Sequence, residues 1–228
     1  MQEPLFYSSD DPLYTSRRNL PHWSQENRVQ FVTFRLADSL PLSVIMDFRE
    51  ERDTWLKQHP KPWSDEDART YYQLYEVKFE KWLDNCHGSC ILKNPSVRQF
   101  LENAFGECDG RKMTIYAYVI MPNHVHLLAS PIGDNTIQSV LARVRRISAR
   151  NINLYSGSKG HVWQSEVFDH LVRSSHYFLK YLKYIIDNPT RLTSDAFSFY
   201  LSKEVRDMWG CFLQDDNPVS NDISYAVR

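Results

Sequence analysis

Met113-Thr-Ile-Tyr-Ala-Tyr-Val-Ile-Met-Pro-Asn-His-Val-His-Leu-Leu-Ala129 decides the fold. Residues 113–121 are rich in β-branched and aromatic side chains, which suit a pleated surface. Pro122-Asn123 interrupts the run, and residues 124–129 resume it. Two such runs about a short break predict an antiparallel hairpin. Side chains alternate along a strand, so His124 and His126 share one face and Val125 takes the other. Two imidazoles a few ångströms apart suit a divalent metal. Taken alone, two packed histidines without a metal fit this stretch as well.

Working towards the N-terminus, Val29-Gln-Phe-Val-Thr-Phe-Arg-Leu-Ala37 has the composition and near alternation of a second strand type, preceded by a polar arm over 1–28. Ser39-Leu-Pro41 opens a helix reaching about Lys57, which His59-Pro-Lys-Pro62 breaks. Ser64 with Asp67 resembles a capping box for a helix over about 65–85, whose Tyr71, Leu74, Tyr75, Phe79 and Trp82 fall at helical spacing as a core stripe. Pro95 opens a helix over 96–105, with Gly106 as its stop and Asp109-Gly110 as a turn.

Working towards the C-terminus, a basic helix is expected over about 136–154, and 162–172 extended in part. A helix over about 174–187 stops at Asn188-Pro189. This order predicts an α+β fold, a ferredoxin-like or RRM-like antiparallel sheet with helices on one face. The expected boundaries are an arm at 1–28, one domain at 29–200 with a helical insertion at about 42–94, and a tail at 201–228.

The chain has 228 residues, 42 % apolar and 14 % aromatic, enough for a packed core. The longest apolar run falls short of a membrane span, and the N-terminus has no secretory pattern, so a cytoplasmic protein with no membrane partner is expected. Cys86, Cys90, Cys108 and Cys211 are too scattered for a disulfide framework, and Cys86-His87-Gly-Ser-Cys90 lacks a second ligand pair for zinc. Net charge is −1, but residues 138–184 carry eight Lys/Arg against two acids, +6, leaving −7 elsewhere. Nucleic-acid affinity follows such local patches rather than the global sum.

On the last helix Tyr177, Tyr181, Tyr184 and Asn188 share one face, with Tyr184 and Asn188 one turn apart. By themselves they read equally as a stripe packed on the sheet.

Together the two halves resemble the HUH-type Y1 transposases, and within them the REP-associated tyrosine transposases, relatives of the IS200/IS605 transposases. The resemblance rests on Tyr-Val-Ile-Met-Pro-Asn-His-Val-His-Leu-Leu (118–128), Val-Trp-Gln (162–164), Phe-Asp-His-Leu-Val-Arg (168–173) and Tyr-Ile-Ile-Asp-Asn-Pro (184–189). Asn-Leu-Pro-His-Trp (19–23) and Phe-Val-Thr-Phe-Arg-Leu-Ala-Asp-Ser-Leu-Pro (31–41) look like the N-terminal signature of one subgroup. It spans roughly residues 17–192 and implies a ferredoxin-like nuclease fold.

The resemblance implies that His124 and His126 bind Mg²⁺ or Mn²⁺, with Asn188 as third ligand. It puts Tyr184 in the place of the nucleophile, with Tyr181 as the runner-up lacking an Asn four residues on. A divalent ion on a non-bridging phosphate oxygen withdraws charge, and two imidazoles with a carboxamide leave the ion's full charge for the phosphate. A tyrosine that attacks in line conserves the bond energy for rejoining. The expected function is therefore a single-strand DNA endonuclease and transposase that nicks and rejoins hairpin-forming, REP-like DNA through a phosphotyrosine, as a monomer or homodimer.

Arg143, Arg146 and Arg150 lie near one face of the basic helix and are expected to meet phosphates beside such a site. Arg173 and His170 are candidates for orienting the scissile phosphate, and Arg17 and Arg18 for contacts from the arm, as the family's N-terminal region implies. Two other readings compete: a repurposed protein that binds hairpin DNA without cutting it, and an RRM-like RNA binder, which would need stacking aromatics on the face the histidines occupy.

Overall fold

The computed structural model describes residues 5–17, 21–60, 63–71, 74–75, 78, 82–83 and 85–207. Arg18, Phe79, Cys211 and the tail beyond 207 lie outside the described residues.

At the centre is a five-stranded antiparallel sheet. In chain order its strands are β3 (Gln30–Arg35), β4 (Met113–Ile120), β5 (His124–Pro131), β6 (Phe168–Leu171) and β7 (Ser198–Leu201). They lie side by side as β6-β3-β5-β4-β7. A short separate hairpin, β1 (Tyr14–Arg17) with β2 (Pro21–Ser24), precedes them. Without β7, the order and the intervening helices are those of the expected ferredoxin-like arrangement.

The β4–β5 hairpin forms as the sequence predicts. Ile120 pairs with Val125, and the Met121 N–H donates to the His124 carbonyl at 2.8 Å, so only Pro122-Asn123 make the turn. A register shift between Ile115 and Ala117 marks an irregularity in β4. All six residues of β3 and all eight of β5 are buried. Each is covered on both faces, so even their polar members, Gln30, Thr33 and Arg35 on β3 and His124, His126 and Ser130 on β5, are buried.

The first face carries α3 (Pro95–Cys108) and α4 (Ile137–Ser156), packed on Val32, Phe34, Val125, Leu127 and Ala129. Asn94 caps α3 through the Ser96 N–H, with Pro95 in the first turn. Thr136 and Ser139 form a reciprocal capping box on α4. The opposite face carries α5 (Ser175–Asp187), whose Phe178, Leu182, Ile185 and Ile186 bury against Phe31, Ala117, Val119 and Leu128. Each such side chain contributes about 1.5–3 kcal/mol by leaving water.

Several expectations need correction. The helices are not confined to one face, because the apolar stripe of α5 covers the side the histidines occupy. Gly106 does not end α3; the helix runs to Cys108 and the left-handed turn falls at Gly110, φ +69°. The last α-helix does end at Asp187 as expected, but Asn188 keeps helical angles (φ −58°, ψ −44°) and the chain continues as a 3₁₀ turn over Asn188–Arg191. The boundary at 200 falls inside β7, and Val205 beyond it is fully buried. The N-terminal region lies against the α5 layer: Tyr7 N–H donates to the Val172 carbonyl, and Phe6 packs edge-on to Phe178.

The insertion builds a satellite core. α1 (Leu42–Gln58) and α2 (Asp65–Tyr71) enclose Ile45, Phe48, Trp55 and Tyr75, with Leu40 and Leu83. Ser64 and Asp67 exchange the expected capping-box hydrogen bonds. After α2 the chain returns to the hairpin tip through Cys86-His87-Gly88-Ser89-Cys90. There Gly88 has φ +87°, and a Cβ on it would stand 2.3 Å from the Asp38 carbonyl oxygen, so this position requires glycine.

Candidate active site

Register fixes the floor of the site. On β5, His124 and His126 face α5, while Val125 and Leu127 enter the core of the other face. Opposite them on β3 stand Arg35 and Thr33 respectively. Neither histidine was accessible in the way the sequence left open: His124 is 1 % exposed and His126 0 %.

Burial holds the His124 imidazole down to about 3 and the His126 imidazole well below its usual value, with His124 a further cause for the latter. Both rings are therefore neutral at physiological pH, the state in which an imidazole can ligate a metal. Their centroids are 4.7 Å apart at 76°. Each Nδ1 has a partner. His126 Nδ1 meets Thr33 Oγ1 at 2.8 Å, and His124 Nδ1 meets Asn123 Oδ1 at 2.8 Å. With one ring nitrogen occupied, Nε2 is the atom on each ring that could ligate a metal.

α5 brings the second half. The Tyr184 ring meets the His126 ring edge-on, centroids 5.0 Å apart at 79°. Tyr181 instead stacks on Phe31 at 4.4 Å and 9°, with His170 beyond it at 6.5 Å. Of the two candidate nucleophiles, then, Tyr184 adjoins the histidines and Tyr181 belongs to an aromatic stack. Tyr177 is 41 % exposed and stands outside the packed stripe, whose fully buried members are Phe178, Leu182 and Ile185, with Tyr181 and Tyr184 partly buried against the same core.

The Asn188 N–H donates to the Tyr184 carbonyl, which ties the two residues by one helical turn. Its Oδ1 is buried with no hydrogen-bond partner, and so is His126 Nε2. A buried acceptor left unmatched costs about 1–3 kcal/mol, so such pairs call for an occupant. Two imidazole nitrogens and an amide oxygen fit a divalent cation of the Mg²⁺ or Mn²⁺ type. Among the described residues, no group of three or more His, Cys, Asp or Glu side chains is placed to hold a metal.

The remaining candidates divide. Arg173 is exposed and His170 half-buried beside the α5 layer. Arg143, Arg146 and Arg150 are exposed, but α4 lies across the sheet from the histidines, so these arginines do not join the site as expected. The physical reason is the apolar stripe of α4, which docks on the Val125 face and turns the arginines to solvent. Arg143 stands 3.9 Å from Glu107, a surface ion pair. Arg17 ends β1, opposite Pro21.

Three residues of the site escaped the sequence reading: Thr33, Asn123 and Arg35. Arg35 is 5 % exposed, donates to Ser39 Oγ at 2.8 Å, and is lowered to about 10 by burial. Glu166 opposes that lowering, and Arg49, which pairs with Glu166, adds to it. The available signal was the β3 alternation itself, which puts 31, 33 and 35 on one face.

Residues 89–188 match the family described as "Transposase IS200 like". The match contains His124, His126, Tyr184 and Asn188. A solved REP-associated tyrosine transposase bound to a REP hairpin is 14 % identical, with 77 % of this chain and 74 % of that chain covered and a TM-score of 0.37. A protein of Deinococcus radiodurans R1 described as a transposase is also 14 % identical, covers 82 % of this chain and 98 % of its own, and has a TM-score of 0.34. No curated protein matches the chain. Among the described residues, no helix is long and apolar enough to cross a membrane. The stretch that resembles the IS200-like transposase family, residues 89–188, is the one that carries the hairpin, the histidine pair and the tyrosine helix.

Proposed function

We propose that the protein nicks and rejoins single-stranded, hairpin-forming DNA through a covalent phosphotyrosine on Tyr184, with His124, His126 and Asn188 holding Mg²⁺ or Mn²⁺. One observation carries the reading: the Tyr184 ring adjoins the His126 ring at 5.0 Å, although some sixty residues separate them. The unmatched buried His126 Nε2 and Asn188 Oδ1 support the ligand set.

When bound, a divalent cation supplies positive charge to a non-bridging phosphate oxygen. The chain does the rest. The Tyr184 phenol gives up its proton, and its oxygen forms a bond to phosphorus. The bond to the departing deoxyribose oxygen breaks, and that oxygen takes up a proton. A deoxyribose hydroxyl then reverses the exchange and releases the phenol, so the phosphodiester is moved rather than hydrolysed. The α5 packing of Phe178, Leu182 and Ile185 holds the helix on the sheet, so Tyr184 keeps its place relative to β5. Arg173, and from the α5 surface Lys180 and Lys183, are exposed cations on the same layer and suit the phosphate backbone.

The test is labelled hairpin DNA incubated with the protein and Mn²⁺, then resolved under denaturing conditions for a protein–DNA adduct. Wild type and Tyr181→Phe are expected to form it and Tyr184→Phe to lose it. An unchanged adduct in Tyr184→Phe refutes the assignment. Hairpin binding without cleavage under any divalent ion favours the non-cutting alternative, which the +6 segment over 138–184 motivates.

A further inference from the structure

We propose that Asn123 is a positioning residue that fixes His124 in its Nδ1-protonated tautomer, and that the inserted segment supplies the carbonyl groups which orient Asn123. The consequence for catalysis rests on the reading of His124 as a metal ligand; the tautomer itself does not.

A neutral imidazole has one N–H and one lone pair, and the partner of one nitrogen decides what the other presents. An asparagine amide is ambiguous by shape, since its oxygen and nitrogen are nearly isosteric. Here the surroundings remove the ambiguity. Asn123 Nδ2 lies 3.1 Å from the Leu83 carbonyl oxygen and 3.3 Å from the His87 carbonyl oxygen. Carbonyl oxygens only accept, so the NH₂ group must face them. A flipped amide would set its oxygen against two others and lose both of these hydrogen bonds. Oδ1 is thereby directed at His124 Nδ1, 2.8 Å away, and can only accept from it. The proton of His124 is on Nδ1, and the lone pair is on Nε2.

Everything about this amide is held. Asn123 is 0 % exposed. The Leu36 N–H donates to its carbonyl at 2.8 Å, and the Leu92 N–H to the neighbouring Pro122 carbonyl at 3.2 Å. The carbonyls of Leu83 and His87 are in turn held by the loop that Gly88 lets lie against Asp38, where the Ser89 N–H donates to Asp38 Oδ2 at 2.8 Å. His126 differs: its partner, the Thr33 hydroxyl, both donates and accepts, so it does not dictate a tautomer. The insertion over 42–94 thus has a place at the site, as the outer support of one histidine.

The test uses the full metal-free chain with ¹⁵N-labelled histidine. Long-range ¹H–¹⁵N correlation distinguishes the two tautomers, and the His124 signals are assigned by their loss in His124→Gln. Wild type is expected to show the Nδ1–H form. In Asn123→Ala the Nε2–H form is expected to appear, with Mn²⁺ affinity by calorimetry lower by roughly 10–100-fold. Asn123→Asp, protonated in this buried place with its O–H towards the Leu83 and His87 carbonyls, retains an acceptor for Nδ1 and is expected to keep the Nδ1–H form, which keeps the proposal testable if the alanine variant fails to fold. An Nε2–H form in wild type, or an unshifted tautomer in Asn123→Ala, overturns it. A wild type with the Nδ1–H form but no Mn²⁺ binding leaves the tautomer device standing and refutes the metal reading instead.

Discussion

Thr33→Val removes one oxygen atom from the floor of the site and little else. Thr33 is 5 % exposed and directly opposite His126, and its Oγ1 stands 2.8 Å from His126 Nδ1. Valine keeps the β-branched shape and strand preference, so the backbone has no reason to move. Nδ1 is left buried beside a methyl group, at a cost of about 1–3 kcal/mol in folding stability. A ligating imidazole whose outer partner is removed typically loses about 10–100-fold in metal affinity. Thr33→Ser retains the hydroxyl and gives up only a methyl group. Urea denaturation and Mn²⁺ calorimetry on the three proteins separate the terms. The serine variant is expected to lose some stability and keep its affinity, and the valine variant to lose both. Equal Mn²⁺ affinity in Thr33→Val and Thr33→Ser, to within about twofold, would refute the claim that this hydroxyl serves a ligand.

Phe178→Ala empties a site that is 0 % exposed and flanked by Phe6 at 6.0 Å and Tyr116 at 5.5 Å. Denaturation midpoints are expected to report a loss of about 3–5 kcal/mol. Gly88→Ala forces a Cβ towards the Asp38 carbonyl from a backbone with φ +87°, and is expected to cost at least about 1–3 kcal/mol by the same assay. Burial, together with the neighbouring Cys86, pushes the Cys90 thiol up to about 12. At pH 8 only about one molecule in ten thousand then carries the thiolate, so mass spectrometry after iodoacetamide treatment should find Cys90 unmodified in the native protein and modified once urea unfolds it. The sign follows: reactivity at Cys90 rises only as pH approaches the raised value.

The sequence made the hairpin and both histidines legible because strand alternation needs no tertiary information: Val125 between two histidines sends them to one face whatever covers that face. It also disclosed helix starts, where the chemistry is local, as at Ser64 with Asp67 and at Pro95. It failed where only a neighbour decides. Ser198-Phe-Tyr-Leu201 is too short to read as a strand, and forms one because it pairs with β4 and stacks Tyr200 on Tyr118 at 5.2 Å. The arginines of α4 have the right spacing, but which side of the sheet their helix covers depends on its apolar stripe meeting Val125 and Leu127 rather than His126. Thr33, Arg35 and Asn123 are polar residues in or beside strands, and in a sequence such residues look solvent-facing. Cross-strand register alone shows that they line the site. Tyr184 was separable from Tyr181 by the asparagine one turn on; in the structure Tyr184 meets His126 and Phe31 edge-on, while Tyr181 stacks flat on Phe31.

The buried histidine pair also bears on how this protein would age in evolution. Two neutral imidazoles in the centre of a sheet, one with an unmatched nitrogen, make the fold less stable than leucine or phenylalanine in the same places would. Selection for folding alone therefore pushes against them. In a lineage released from the need for whatever these rings do, positions 124 and 126 are the ones where random substitution would most readily be rewarded with a sturdier protein.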